Sequence, residues 1–207
     1  MSIFKNQAAF IKSPGSYLKR LASDSRAVGV GFRNVFTISL LYEGAILLWA
    51  FGAEDVTLPA FLRIPEQQYY FYELIFLIPL FIVTWLLASS TAYILSRALG
   101  GTGSCDALLG GVGLTMAVSA YFTLIPDYIQ GILWTTGLVP FYEYLEITGQ
   151  GILLIIVWAY MFMYTLSHIV LYSMTVHYTQ GLAKLKSCII GTVSFVVSFA
   201  VWITFVR

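Results

Sequence analysis

The stretch RALGGTGSCDALLGGVG, Arg97–Gly113, places six glycines in seventeen residues between two long apolar runs. Its reading decides the fold, because such a segment is either a phosphate cradle or a join between two helices. A Walker loop requires GxxxxGK[ST], whose lysine reaches the phosphates, and a dinucleotide fingerprint requires GxGxxG between a strand and a helix. GGTGS carries no lysine, and Gly111-Val-Gly113 has no third glycine at the required spacing. The stretch reads instead as a helix stop followed by a helix start. Gly100 and Gly101 follow Arg97, Ala98 and Leu99, as left-handed glycines follow a helix whose negative dipole end favours a cation. Ser104 then stands at an N-cap, with Asp106 in the first turn against the positive dipole end. Beyond it Ala107, Gly111, Thr115 and Ser119 recur every four residues, a stripe of small side chains that lets one helix approach another closely. Ala88, Ala92 and Ser96 repeat the device upstream, and Gly191, Ser194 and Ser198 do so downstream.

The neighbours of this join are apolar enough to make the bilayer their solvent. The chain is 59% hydrophobic and 10% charged, with a mean hydropathy of +0.83, far from the quarter-charged average of a soluble domain. Five segments, 34–53, 71–96, 105–126, 151–172 and 187–205, carry the ~20 apolar residues that a ~30 Å hydrocarbon layer requires. Within hydrocarbon every backbone amide must be satisfied inside its own segment, and the links are too short for alternating barrel strands. The expected fold is therefore all-α, a bundle of five transmembrane helices.

Six of the eleven basic residues precede the first span (Lys5, Lys12, Lys19, Arg20, Arg26, Arg33). Arg97, Lys184 and Lys186 fall in the second and fourth links, leaving only Arg63 and Arg207 on the other side. That asymmetry predicts a cytoplasmic N-terminus and, after five spans, an external C-terminus. Tyr69, Tyr70, Tyr72, Tyr142 and Tyr144 gather at the outer ends, where amphipathic rings favour the headgroup level.

Positions 1–33 divide from the membrane domain, 34–207, as a basic arm. Lysine or arginine recurs throughout, so no uninterrupted apolar run of signal-peptide length exists. Ser13 at an N-cap and Pro14 at the first helical position predict a short amphipathic helix, with Tyr17, Leu18 and Leu21 on one side and Lys19 and Arg20 on another. Such a helix would lie on the inner leaflet, where Lys12, Lys19, Arg20, Arg26 and Arg33 meet anionic lipid at about 1 kcal/mol each. Gly29 and Gly31 are expected to bend the chain into the first span.

Three phrases carry a family resemblance. SPGSYLKRLASDSRAVGVGFRN (13–34), RALGGTGSCDALLGGVGLT (97–115) and IVWAYMFMYTLSHIVLYSMTVHYTQGLAKLKSCIIGTV (156–193) resemble, in that order, parts of the Ypt-interacting protein (YIP) family. The parts are its pre-membrane element, its glycine-pair link, and its fourth span with the basic approach to the fifth. The resemblance implies a five-span fold with a cytoplasmic N-terminus and a non-enzymatic role in membrane organisation or partner recruitment. It also implies small Rab/Ypt GTPases as partners, although the DLYGP-like motif of longer members is absent from the basic arm. The compact arm matches a prokaryotic-type member of the plasma membrane; a eukaryotic one would sit in the endoplasmic reticulum or Golgi.

Ionisable residues within the spans are the candidate functional positions, because a mid-bilayer charge costs at least ~2.5 kcal/mol. Glu43 falls near the middle of the first span. It suits a protonatable group or cation ligand, or equally a carboxyl hydrogen-bonded to a neighbouring hydroxyl. His168 in the fourth span fits a hydrogen-bonded core histidine better than a ligand, and His177 is expected in the link that follows. Glu73 and Asp127 stand at the outer ends of spans two and three, where they either face one another or are solvated helix ends. The segment 127–150 is long for a link and reads as interfacial or partly re-entrant, or as an extension of the third helix. No HxxxH or HExxH spacing predicts a metal, no nucleophile motif predicts an enzyme, and no cofactor or nucleic-acid signature is present. Cys105 and Cys188 are expected as free thiols. Two function classes remain: a membrane organiser that holds inner-leaflet lipids and associates with itself or other membrane proteins, and a transporter, channel or lipid-binding protein built on Glu43.

Overall fold

The computed structural model describes residues 3–57, 62 and 64–206; Arg63 and Arg207 of the charge pattern lie outside the described residues. It is all-helical among those residues. Two short helices, α1 (Ile3–Lys12) and α2 (Pro14–Ala22), precede α3 (Ala27–Gly52) and α4 (Tyr69–Ala98). There follow α5 (Cys105–Thr135), α6 (Phe141–Thr148), α7 (Gly151–Gln180) and α8 (Lys184–Phe205). The five long ones are each apolar and long enough to cross a membrane, and the protein is a multi-pass membrane protein. Around the bundle α3, α4, α8 and α7 follow one another, and α5 closes the ring between α3 and α7 while also touching α4.

The join read from Arg97–Gly113 forms as expected. Gly100 takes φ +91° beyond the end of α4, the conformation that side-chain-bearing residues avoid. The Ser104 hydroxyl accepts from the Ala107 amide at 3.1 Å, satisfying one of the orphan donors of α5. Ala107, Thr115 and Ser119 are fully buried, and a Cβ on Gly111 would collide with the Thr175 methyl of α7. The opposite face of α5 meets α3 backbone to backbone: a Cβ on Gly113 would stand 2.7 Å from the Gly31 Cα. Helix α5 is the most buried of the five. Between helices in hydrocarbon, apolar transfer contributes little and close contact must supply the attraction, which small residues permit.

Several expectations about helix ends are corrected. Gly29 and Gly31 are no bend; both lie inside α3, which starts at Ala27 rather than Asn34, so the division placed at Arg33 falls within it. Gly31 is instead the point where α3 touches the Leu109 carbonyl. Ser13 makes no side-chain cap, although Pro14 does open α2. Pro126 does not end the third span, since α5 continues to Thr135 and a separate helix, α6, follows. His177 is still helical in α7, its Nδ1 paired with the Leu182 carbonyl, and the following link is only 181–183. In each case an apolar run measured the hydrocarbon while the hydrogen-bonded helix ran on past it.

Two ends of the bundle are chemically distinct. The basic end carries the 99–104 join, the 181–183 link and α2; the acidic end carries the 53–68 link and α6. At the acidic end aromatic rings supply the contacts: Trp134 lies 5.6 Å from Trp49, 4.9 Å from Phe141 and 5.5 Å from Tyr144 between ring centroids. Apolar side chains on the first half of α7, such as Ile152, Ile155 and Trp158, face outward, as a lipid-facing surface should.

Candidate functional site

At the basic end the N-terminal helices are part of the bundle and not a detached arm. Helix α1 buries Gln7 and Phe10. The Gln7 amide donates to Asn34 Oδ1 at 2.9 Å, and the Tyr121 hydroxyl donates to Gln7 Oε1 at 3.0 Å. Asn34 in turn donates to the Val30 carbonyl at 2.8 Å. These bonds anchor α1 beside α3 and α5. Helix α2 turns Tyr17, Leu18 and Leu21 inward, as its periodicity predicts, and they join Phe10, Ala27 and Leu114 in one cluster. The amphipathic face therefore packs on protein rather than lipid. Phe4 and Ile11 of α1 remain exposed and apolar.

Between α1, α2 and the first turns of α3 lies a groove of about 350 Å³ lined by Asn6, Tyr17, Arg20, Asp24, Arg26 and Arg33, with Leu21 and Val30 as its apolar wall. The Arg20 guanidinium lies over the Tyr17 ring, 5.0 Å from its centroid. Arg26 Nε stands 3.6 Å from Asp24 Oδ1, and the Arg26 backbone amide donates to the same oxygen at 2.9 Å. That amide bond, with the Arg26 charge, holds the Asp24 carboxyl below the usual carboxylate range. Burial raises the Tyr17 phenol, which stays neutral. Of the five basic residues expected to meet the inner leaflet, Arg20, Arg26 and Arg33 thus share one groove. Lys12 and Lys19 do not line it; the Lys19 ammonium sits 5.5 Å from the Tyr178 ring centroid instead.

The intramembrane candidates separate into three places. Glu43 is half-buried on α3; one carboxyl oxygen is buried without a hydrogen bond, and the backbone of Ile78 on α4 approaches the carboxyl. It lines neither described cavity. Glu73 is fully buried near the start of α4, at the acidic end, beside Tyr70. It is not a solvated helix end.

Asp127 and His168 belong to a third place that spacing alone did not reveal. Asp127 is half-buried, and its field reaches Tyr42 of α3, Tyr144 of α6 and both Tyr160 and Tyr164 of α7. Burial, with the Asp127 charge, raises the Tyr144 phenol. Tyr42 bonds the Thr123 hydroxyl and donates to the Ala120 carbonyl, on the turns before Asp127. His168 Nδ1 donates to the Tyr164 carbonyl at 3.0 Å, which fixes Nε2 as the acceptor nitrogen. Its ring is 4.3 Å from that of Tyr164 and 5.5 Å from that of Tyr172. A void of about 20 Å³ beside it, lined also by Thr84 and Ser198, has room for one water and for no larger ligand. Tyr160, Tyr164, His168, Tyr172, Thr175 and Thr179 recur at helical spacing along α7, a polar stripe of about 28 Å. The Thr175 hydroxyl, with those of Ser119 and Ser194, is buried without a hydrogen bond.

No family model, curated protein or solved structure matches this chain.

Sequence reasoning missed the Gln7–Asn34–Tyr121 network. An asparagine at the start of an apolar span was a visible sign, because an amide in hydrocarbon needs a partner; that the partner comes from α1, on the far side of α2, was not visible. Of the tyrosines within electrostatic range of Asp127, only Tyr144 was expected in the interfacial belt; Tyr42, Tyr160 and Tyr164 were not singled out, since they lie on other helices.

Proposed function

We propose that the protein is a non-enzymatic membrane organiser of YIP type, with the basic end facing the cytoplasm. The observation that carries this reading is the docking of α1 and α2. Helix α1 is anchored by the Gln7 network and α2 by its buried Tyr17, Leu18 and Leu21, presenting Phe4 and Ile11 outward and three arginines in one groove. That is the chemistry of a device that lies in one leaflet and holds anionic lipid. The YIP resemblance supports the same class, with small GTPases or other membrane proteins as recruited partners. Lipid retained by the purified protein tests the reading. Wild type should carry anionic lipid through detergent extraction, and a chain lacking 3–22 should lose most of it. Equal retention by both would overturn it.

A second reading, proton or cation movement, is favoured by one observation: the polar stripe along α7 from Tyr160 through His168 to Thr179, with Asp127 within electrostatic range of Tyr160 and Tyr164. The carboxyl it would use is Asp127 rather than Glu43. Proteoliposomes loaded with a pH-sensitive dye decide: the organiser passes no protons, whereas a conductor passes them in the wild type and not after Asp127→Asn.

A further inference from the structure

The groove between α1, α2 and α3 does more than add positive charge to a membrane surface. We propose that it is a stoichiometric site for one phosphate-bearing lipid headgroup, with a phosphomonoester as the preferred ligand. The inference rests on the reading that the basic end lies against a leaflet, and it narrows "anionic lipid" to one chemistry at one place.

Three features single this groove out. First, it is concave and, at about 350 Å³, within the ~300–1,000 Å³ range of small-ligand sites, so it takes a headgroup rather than a diffuse ion cloud. Second, every cation lining it is an arginine, while Lys12, Lys19, Lys184 and Lys186 stand outside it. Arginine's planar fork matches two phosphate oxygens at once, whereas lysine offers a strongly hydrated point charge. Third, the arginines are partly organised before a ligand arrives: Arg20 rests on the Tyr17 ring, and Asp24 tethers Arg26. Arg33 has no hydrogen bond or ion pair among the described residues.

Charge sets the preference. Three arginines and the Asp24 carboxylate leave a net +2 in the groove, the complement of a dianionic phosphomonoester rather than of a singly charged diester. Asp24 is held ionised below the usual carboxylate range, the Tyr17 phenol stays neutral, and arginine does not titrate. The groove therefore keeps this charge from pH 5 to 8, and any pH dependence of binding comes from the ligand, whose second ionisation lies near ~6. Depth also fits: Arg33 stands about 9 Å along α3 from Ala27, where a long side chain reaches the headgroup level while Leu21 and Val30 meet the glycerol and upper acyl carbons.

The test uses the full chain in nanodiscs of phosphatidylcholine containing phosphatidic acid or phosphatidylglycerol, with bound lipid counted by native mass spectrometry. One phosphatidic acid per chain should be retained in preference to phosphatidylglycerol, the more strongly at pH 8 than at pH 5. Arg20→Gln/Arg33→Gln should lower its occupancy about ten-fold or more, and Lys184→Gln/Lys186→Gln, which removes the same charge from the same end but outside the groove, only about two-fold, because those charges act on the ligand across screening solvent. Equal losses in the two double variants would overturn the site in favour of unspecific attraction, as would indifference to headgroup. Displacement by soluble glycerol 3-phosphate would overturn the lipid as its source. Amide exchange of α1 and α2 is read in parallel: protected amides with a failed headgroup preference sink only the site, whereas unprotected amides sink the docked arm as well.

Discussion

The two ends of the bundle differ in what is added to the close approach of α3 and α5. At the basic end helices meet where side chains are missing: Gly113 lies against Gly31, Gly110 against Ala27 and Gly111 against Thr175. At the acidic end Gly52 again meets the Thr135 backbone and Gly131 meets Leu48, but the largest side chains the chain has, Trp49, Trp134, Phe141 and Tyr144, are packed around them. The difference teaches where the bilayer leaves stabilisation to be found. Close backbone approach adds stability where an apolar side chain gains little by leaving lipid for protein. At the headgroup level rings have water to leave and favour one another's faces and edges.

The largest expected effect comes from closing the tightest backbone approach. Gly31→Ala would drive its Cβ into the Leu109 carbonyl, which already accepts from the Trp85 indole at 2.9 Å. Backbone cannot swing aside as a side-chain tip can, so a loss of about 3 kcal/mol is expected, read as a fall in thermal stability with amide exchange rising first in α3 and α5. A variant as stable as the wild type would show that glycine contact is not what holds this end.

Trp134→Ala should cost less, about 2 kcal/mol, despite removing far more surface. Its indole N–H is buried without a hydrogen bond, and that standing cost disappears with the ring. Trp134→Phe sharpens the point, since it keeps the ring contacts and removes the orphan donor; stability equal to or above the wild type is expected. Exchange in Trp134→Ala should rise in α6 and leave α2 unchanged, the reverse of the Gly31 pattern.

Smaller effects belong to the join itself. Gly100→Ala meets no atom, so only the left-handed backbone is penalised, by about 1 kcal/mol. Ser104→Ala removes one cap bond, also about 1 kcal/mol or less. The smallest effect is electrostatic. Because the folded Asp24 carboxyl lies below its ordinary value, its contribution is present above the unfolded value and is lost as pH falls through the folded one. The residue is exposed, so acid titration of wild type against Asp24→Asn should separate the two only slightly, and only at the acidic limb.

Much of this was legible beforehand. The five spans, the Ser104 cap and the left-handed Gly100 follow from apolar length and from residues whose side chains act on their own backbone within a turn. The small-residue stripe marked out the most buried helix because small side chains in a span have few uses besides contact. What escaped were the pairings across the chain. Gly31 looked like a bend because a glycine has the same local freedom whether it turns the chain or admits a neighbour. Asp127 looked like a helix end because the tyrosines within its electrostatic range come from places as distant in the chain as Tyr42 on α3 and Tyr164 on α7.

Composition and local pattern alone settled that this is an all-helical, multi-pass protein, since hydrocarbon permits no other economical use of such segments. Only the tertiary structure decided that α1 and α2 are bound into the bundle and that Arg20, Arg26 and Arg33 form one groove. It also decided that Glu73 is buried rather than a solvated helix end. The physical reason is shared: solvent imposes secondary structure residue by residue, whereas a site is a meeting of side chains whose sequence separation carries no record of it.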